Sequence, residues 1–530
     1  MKRFQAIIGA LMIVLVAATG KPAGAENVLR WASATEALTF DPHSANHTPT
    51  TGANLQVYEP LVDFNSHYEI EPSLAVQWKL IDATTWQFDL RRDVRFHDGT
   101  PFTSADVVFS LKRAMSNTSD FKDDIAAITA VEAADDHRVR ITTAGPDMIL
   151  PHELCRILIM SRRWAEQHDA LLPAVYGEYA TYAEGHANGT GPFKLVSFEP
   201  SVGTVMSRNS EWWGLNQNPH NVDGIVHTVM KDPALRLRAL LAGEIDFLSD
   251  PPFSGLDEIE RTPGLKLERT NETRTIFLGL DQGSRELRSS NIRGSNPFAD
   301  RRVRQAVYQA IDEDTIREKV MNGLAVPAGI IIQPVINGYA PELDTRLPFD
   351  PDAARTLLTA AGYPDGFDVT LDCPNDRYIN DEAICRVVAG MLGEIGIRVT
   401  VAARPMREHF PMIKNRETDL YMLGWGTSTY DSLFHFSYLV RSDGLYSATG
   451  YANPRVDGLI DRIGTELVTY SRDAMIEEVW KTVRADIVYI PLHHQVIVWA
   501  MRDQLELPVD AWNQPRFRLA RLTDHPPVAR

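Results

Sequence analysis

From Asp350 onward, apolar and polar positions switch between two periods along the chain. Ala354, Leu357, Leu358 and Ala361 recur at the spacing of one helix face. Asp350 suits the N-cap of that helix, Pro351 its first position and Gly362 its stop. Phe367, Val369 and Leu371 then alternate, which predicts a strand. A second helix carries Ile384, Val387, Val388, Met391 and Ile395, and Gly396 stops it. Ile397 to Val401 predicts another strand, followed by a helical stretch around Met412 and a strand from Leu420 to Leu423. Alternating helices and strands predict an α/β lobe with a largely parallel sheet. Ligands of such sheets sit outside the carboxyl ends of the strands. The segments after Leu371 and Leu423 are therefore where a site is expected.

Residues Leu74 to Met115 have a different texture. Trp86, Phe88 and Leu90 alternate as a strand, and a turn through His97, Asp98, Gly99, Thr100 and Pro101 follows. Thr103 can cap the next helix, with Asp106 completing a capping box and Phe102 stapled against Val107. This predicts a smaller α+β unit inserted early in the chain. Later, Leu235 to Leu241 reads as a helix closed by Gly243, and Ile245 to Leu248 as the strand after it.

The 530 residues exceed one ordinary core, so two or three lobes are expected. Lys2 and Arg3 precede an apolar run from Ile7 to Ala18, and Ala23, Gly24 and Ala25 form a small-residue cleavage site. Residues 1–25 are thus expected to be an export signal. An uncleaved anchor is the other reading, but the apolar run is short for one, and no cysteine follows it to carry lipid. Without residues 1–25 the chain keeps 50 basic against 70 acidic side chains, a net charge of −20. That argues against nucleic acid and anionic lipid as partners.

Enzyme signatures are missing from the sequence. No G-x-S-x-G elbow, H-E-x-x-H helix or phosphate-binding G-x-x-x-x-G-K-[ST] occurs, so no catalytic residue is expected. His493 and His494 should face opposite sides of a strand, one packed and one exposed, which disfavours metal ligation. Asp120 and Asp124 read as a solvated helix face. In an oxidising compartment Cys373 and Cys385, twelve positions apart, can close a small disulfide loop; two buried free thiols are the alternative. Cys155 lacks an evident partner. No cofactor or metal is expected.

The stretches Trp86 to Arg91 and Val94 to Ser110 closely resemble the signature of the dipeptide/oligopeptide/nickel class of solute-binding proteins, often called family 5. Further blocks match in order: Leu38 to Pro42, Gly189 to Lys194, Leu240 to Asp246, Pro297 to Ala306 with Ala310 to Asp312, and Ala353 to Tyr363. The resemblance spans nearly the whole mature chain. It implies an α/β, type II periplasmic-binding fold, with two α/β lobes joined by a hinge plus an extra α+β domain. Lobe one would take residues 26–58, 185–285 and 495–530, the extra domain 59–184, and lobe two 286–494. It further implies a monomeric periplasmic protein that closes on a small-molecule or peptide ligand, a population shift toward the closed state. The partners implied are the permease subunits of an ABC importer with their ATPases, with peptide import as the function.

The resemblance also points to ligand contacts. Relatives that bind free peptides carry, after the strand here ending at Leu423, a Trp followed three residues later by an Asp that receives the ligand's α-ammonium. This chain reads Trp425, Gly426, Thr427, Ser428, Thr429, Tyr430, Asp431. Ser428 holds the Asp position, and the nearest carboxylate, Asp431, is displaced. Either Asp431 substitutes, or the ligand lacks a free α-ammonium. Arg377 stands near where dipeptide binders carry an Arg for the ligand carboxylate, for which a planar guanidinium is suited. A surface Arg paired with Asp376 or Asp381 is the alternative. Other cargoes of the class are an opine-like or glycosyl compound, haem, or chelated nickel. The readings outside it are a secreted hydrolase and a receptor that presents its ligand to a sensor.

Overall fold

The computed structural model describes residues 26–65, 67–175, 177, 181–427 and 429–523. The expected export signal lies outside the described residues, as does Ser428. No helix among the described residues is long and apolar enough to cross a membrane. The chain forms two compact units. The first comprises residues up to Gly145, Leu150–Thr270 and Ile497 onward; the second comprises Pro146–Ile149 and Asn271–Val496. The lobe crossings expected at 285/286 and 494/495 thus fall at 270/271 and 496/497, inside two long strands, Leu265–Leu280 and Tyr489–Arg502.

In the first unit Val28–Ser33 runs parallel to Gly224–Val229 and to Phe247–Leu248. Gly203–Arg208 and Phe193–Glu199 extend that sheet as an antiparallel pair. A separate sheet has the order Ala75–Asp82, Thr85–Leu90, Arg138–Thr143, Ile128–Asp135. The helix Ser104–Ala114 packs on it. Its start is built as the residues suggest, with the Thr103 N–H donating to Asp106 at 2.9 Å and Phe102 and Val107 both buried. This is the predicted α+β unit, though by compactness it groups with the rest of the first unit. The segment Asp120–Ala127 is a run of turns rather than a helix, and Asp124 pairs with Arg156 at 2.9 Å.

In the second unit the sheet order is Ile397–Arg404, Phe367–Pro374, Leu420–Trp425, Leu265–Leu280, Tyr489–Arg502. The first three strands are parallel, and Leu265–Leu280 runs antiparallel to Leu420–Trp425. Both faces are covered. Leu420, Met422, Ile276 and Leu278 face one helix layer through Leu358, Ile384 and Val388. Tyr421, Leu423 and Phe277 face the other through Ile413, Ile460 and Trp480. Alternate residues of the central strands therefore enter different cores, which is why these strands read as continuous apolar runs. The helices form at Pro351–Ala360, Asp381–Glu394 and Met406–Lys414. Asp350 accepts from the Ala353 N–H at 2.8 Å, and Gly362 and Gly396 take the left-handed φ that ends a helix without a Cβ penalty, at +95° and +92°.

The reading of His493 and His494 needs correction. Neither is exposed, because the strand they lie on is central and sandwiched on both faces. His493 meets Glu313 at 2.9 Å, and His494 meets Asp344 at 3.1 Å and Thr275 at 2.9 Å.

Candidate functional site

Two loops leave the carboxyl ends of neighbouring parallel strands in the second unit. One follows Phe367–Pro374 and carries Arg377; the other follows Leu420–Trp425 and carries Gly426 to Asp431. A disulfide between Cys373, at the strand end, and Cys385, in the following helix, brackets the first loop. Asp381 accepts hydrogen bonds from the N–H groups of Arg377 and Tyr378 at 3.0 and 3.1 Å. Asp376 accepts from the Met406 N–H at 2.7 Å. Both carboxylates that sequence offered as partners for Arg377 thus serve the backbone. The Arg377 guanidinium is exposed and makes no ion pair among the described residues.

Tyr378 ties the first loop to the end of the second strand. Its ring is buried and its hydroxyl donates to the Gly424 carbonyl at 3.0 Å, one residue before Trp425. Gly424 is required there: a Cβ would stand 2.8 Å from Tyr378 and 2.9 Å from the Arg274 side chain. The guanidinium carbons of Arg274 and Arg377 lie 5.7 and 5.9 Å from the Tyr378 ring centroid. Arg274 pairs with Glu272 at 2.8 Å, and the other Glu272 oxygen accepts from the Gln495 amide. The charge of Arg274, with some desolvation behind it, lowers the pKa of Arg377 below the usual arginine value.

Trp425 is half-buried against four other rings. Tyr446, Phe434, Tyr438 and Phe410 have centroids 5.2, 6.0, 6.0 and 6.5 Å away. Its indole N–H has no hydrogen-bond partner among the described residues. Tyr438 sits on a π-helical turn, Phe436–Val440, a rare geometry that recurs at functional sites. Gly426 is packed so closely on Thr273 that a Cβ would lie 3.0 Å from its hydroxyl.

Asp431 goes elsewhere. It is buried, it caps the short helix Ser432–His435 through the Leu433 N–H at 2.9 Å, and it accepts from Arg472 and Asn337. Burial alone would raise its pKa, but the hydrogen bonds and charge of Arg472 outweigh that and hold it below the ordinary carboxylate value. Arg377, Trp425 and Gly426 thus lie at or just past the carboxyl ends of two neighbouring parallel strands, while Asp431 turns into the core. Sequence reasoning missed Arg274, Glu272, Gln495 and Tyr378. The one local signal was Glu272 and Arg274, two positions apart and so on one face of a strand, just before its apolar end from Ile276 to Leu280.

The model of the bacterial extracellular solute-binding proteins, family 5 (middle region), matches residues 69–447. The chain belongs to that family. A family 5 relative, the glutathione-binding protein GsiB of Pectobacterium atrosepticum, is 25% identical over 433 residues, which cover 79% of each chain. Heme-binding protein A of Haemophilus influenzae is 24% identical over 510 residues, 91% of this chain and 89% of that one. Among solved structures, NikA from Brucella suis in complex with Fe(III)-EDTA has a TM-score of 0.82 at 21% identity, covering 94% of this chain and 100% of that one. The fold is the type II periplasmic-binding fold of these family 5 proteins.

Proposed function

We propose that this family 5 protein is the exported, periplasmic substrate-binding component of an ABC importer, and that its cargo is a peptide or peptide-like molecule with a free carboxylate. The observation that carries the reading is Arg377, an exposed guanidinium with no ion pair among the described residues, on the loop leaving the carboxyl end of the parallel strand that neighbours the one ending at Trp425. Relatives named for glutathione and for heme fix no single cargo, so the chemistry of the rim has to choose. Arg377 receives the carboxylate, and the Trp425 ring covers an apolar part of the ligand. The engagement of Asp431 with Arg472 leaves the cargo's amino end without that carboxylate. No hydrolytic step is part of the reading.

Native mass spectrometry of protein purified without denaturation tests it directly. A retained small molecule bearing a carboxylate, released intact, is the expected result. Cleavage of peptides on incubation would make the protein a hydrolase instead. Trp425→Phe should remove most of the ligand-induced fluorescence change, and an unaltered signal and affinity would move the cargo away from this rim.

A further inference from the structure

Arg377 does not stand alone at the rim. Arg274 reaches the same tyrosine ring from the Leu265–Leu280 strand, and its guanidinium carbon lies at nearly the same distance from the centroid, 5.7 against 5.9 Å. Two like charges around one ring repel, and the charge of Arg274 is the largest cause of the lowered pKa of Arg377, so an anion beside them is favoured. Glu272 supplies one negative charge against two positive ones. It meets a single nitrogen of Arg274 at 2.8 Å, while its other oxygen is taken by the Gln495 amide. The three side chains Arg274, Arg377 and Glu272 sum to one net positive charge, with the exposed Asp376, whose carboxylate holds the Met406 N–H, a further negative neighbour of Arg377. Glu272 and Gln495 fix where Arg274 points rather than neutralising the pair. Both guanidiniums present planar donor forks, whose geometry matches a two-oxygen acceptor.

We propose that Arg274 and Arg377 together form a receptor for one singly charged oxyanion of the cargo, a carboxylate or its equivalent, with Glu272 and Gln495 orienting Arg274. The proposal rests on the reading of the strand-end rim as the cargo site, and it adds a second receptor residue and a charge of minus one. A cation at this position is repelled, and a neutral amide leaves the two positive charges uncompensated. The lowered pKa of Arg377, caused chiefly by Arg274, fits two guanidiniums that sense each other.

The test uses the mature protein, with propionate as the probe and propionamide as its uncharged control, followed by calorimetry. Propionate should bind saturably at one site, with a dissociation constant on the order of 1–10 mM, and propionamide should not bind. Arg274→Gln and Arg377→Gln should each weaken propionate by at least about tenfold, with the double variant little weaker than either. Arg274→Lys keeps the charge without the fork and should weaken it by about threefold or more, which covers the case of a poorly folded glutamine variant. No saturable binding to wild type, equal binding of propionamide, or unchanged affinity in Arg274→Lys would overturn the receptor. Propionate binding in a protein that never retains or imports a cargo would sink the transport reading alone. A cargo held equally by wild type and Arg274→Gln would sink the receptor alone.

Discussion

Arg472 donates a hydrogen bond of 2.7 Å to each carboxylate oxygen of Asp431, and the two side chains are only 6% and 2% exposed. The pair fastens the long helix Thr469–Asp486 to the loop that follows Trp425. Removing one member strands the other charge in the core, at a cost of about 3–5 kcal/mol. Arg472→Ala should lower stability to urea by that amount near neutral pH. The sign of the pH effect follows from the depressed pKa of Asp431. Its stabilisation is complete above the ordinary carboxylate value and disappears as pH falls through the lowered one. In Arg472→Ala burial alone raises the Asp431 pKa, so the difference between the two proteins should shrink as pH falls, starting above the ordinary carboxylate value. An equal urea midpoint for the two proteins at neutral pH would remove this pair from the fold's support.

His435, four residues on, is buried with neither ring nitrogen hydrogen-bonded among the described residues. Burial pushes its pKa from 6.5 to about 3, against a small opposing pull from Asp431. The unfolded chain takes up a proton at this histidine below pH 6.5, and the folded one does not until about pH 3. Stability is thus full above pH 6.5 and declines as pH falls toward 3. His435→Phe preserves a ring beside Trp480 and removes the titration. Its stability relative to wild type should rise as the buffer is taken from neutral to pH 4.5. A constant difference across that range would mean His435 is solvated in the native state.

The disulfide between Cys373 and Cys385 closes the loop on which Arg377 and Tyr378 stand. Peptide mapping without reduction should recover the two cysteines joined. Reduction should cost about 3 kcal/mol or less on the chain-entropy account for so short a loop. It should weaken cargo binding further than it weakens folding, since Asp381, which holds the Arg377 backbone, lies within the same bracket. Free thiols at both positions in oxidised, folded protein would dismiss the bracket.

How much of this was legible varies with the range of the interactions. Asp350 with Pro351, Thr103 with Asp106, and the stops at Gly362 and Gly396 are local devices, and each stands where the pattern puts it. The two strands followed from period alone, although they run past the expected ends at Leu371 and Leu423 to Pro374 and Trp425. What sequence could not supply depends on partners far along the chain. Arg274 meets the Tyr378 ring across 104 positions, and Arg472 reaches Asp431 across 41. The burial of both His493 and His494 required knowing that their strand is central. Helix and strand propensities act over a few residues, whereas ion-pair choice is settled only when the sheet order is.

The engagement of Asp431 has its strongest consequence at the cargo's amino end. A peptide binder that uses a buried carboxylate for the α-ammonium loses several kcal/mol when the ligand arrives without its cation, because a desolvated charge is left alone. Here the carboxylate is already satisfied by Arg472, Asn337 and the Leu433 N–H. No such charge is exposed by an acylated ligand. Acetylating a peptide's amino terminus should then weaken binding by less than about tenfold, or roughly 1.4 kcal/mol. The carboxyl end should behave oppositely. Arg377→Ala should cost a carboxylate-bearing cargo roughly 2–5 kcal/mol if its carboxylate is left buried and unpaired. Calorimetry on matched free and acetylated peptides separates the cases. Strong discrimination against the acetylated form would mean that Asp431 gives up Arg472 for the ligand ammonium. Failure of every peptide, free or blocked, would turn the search to non-peptide acids.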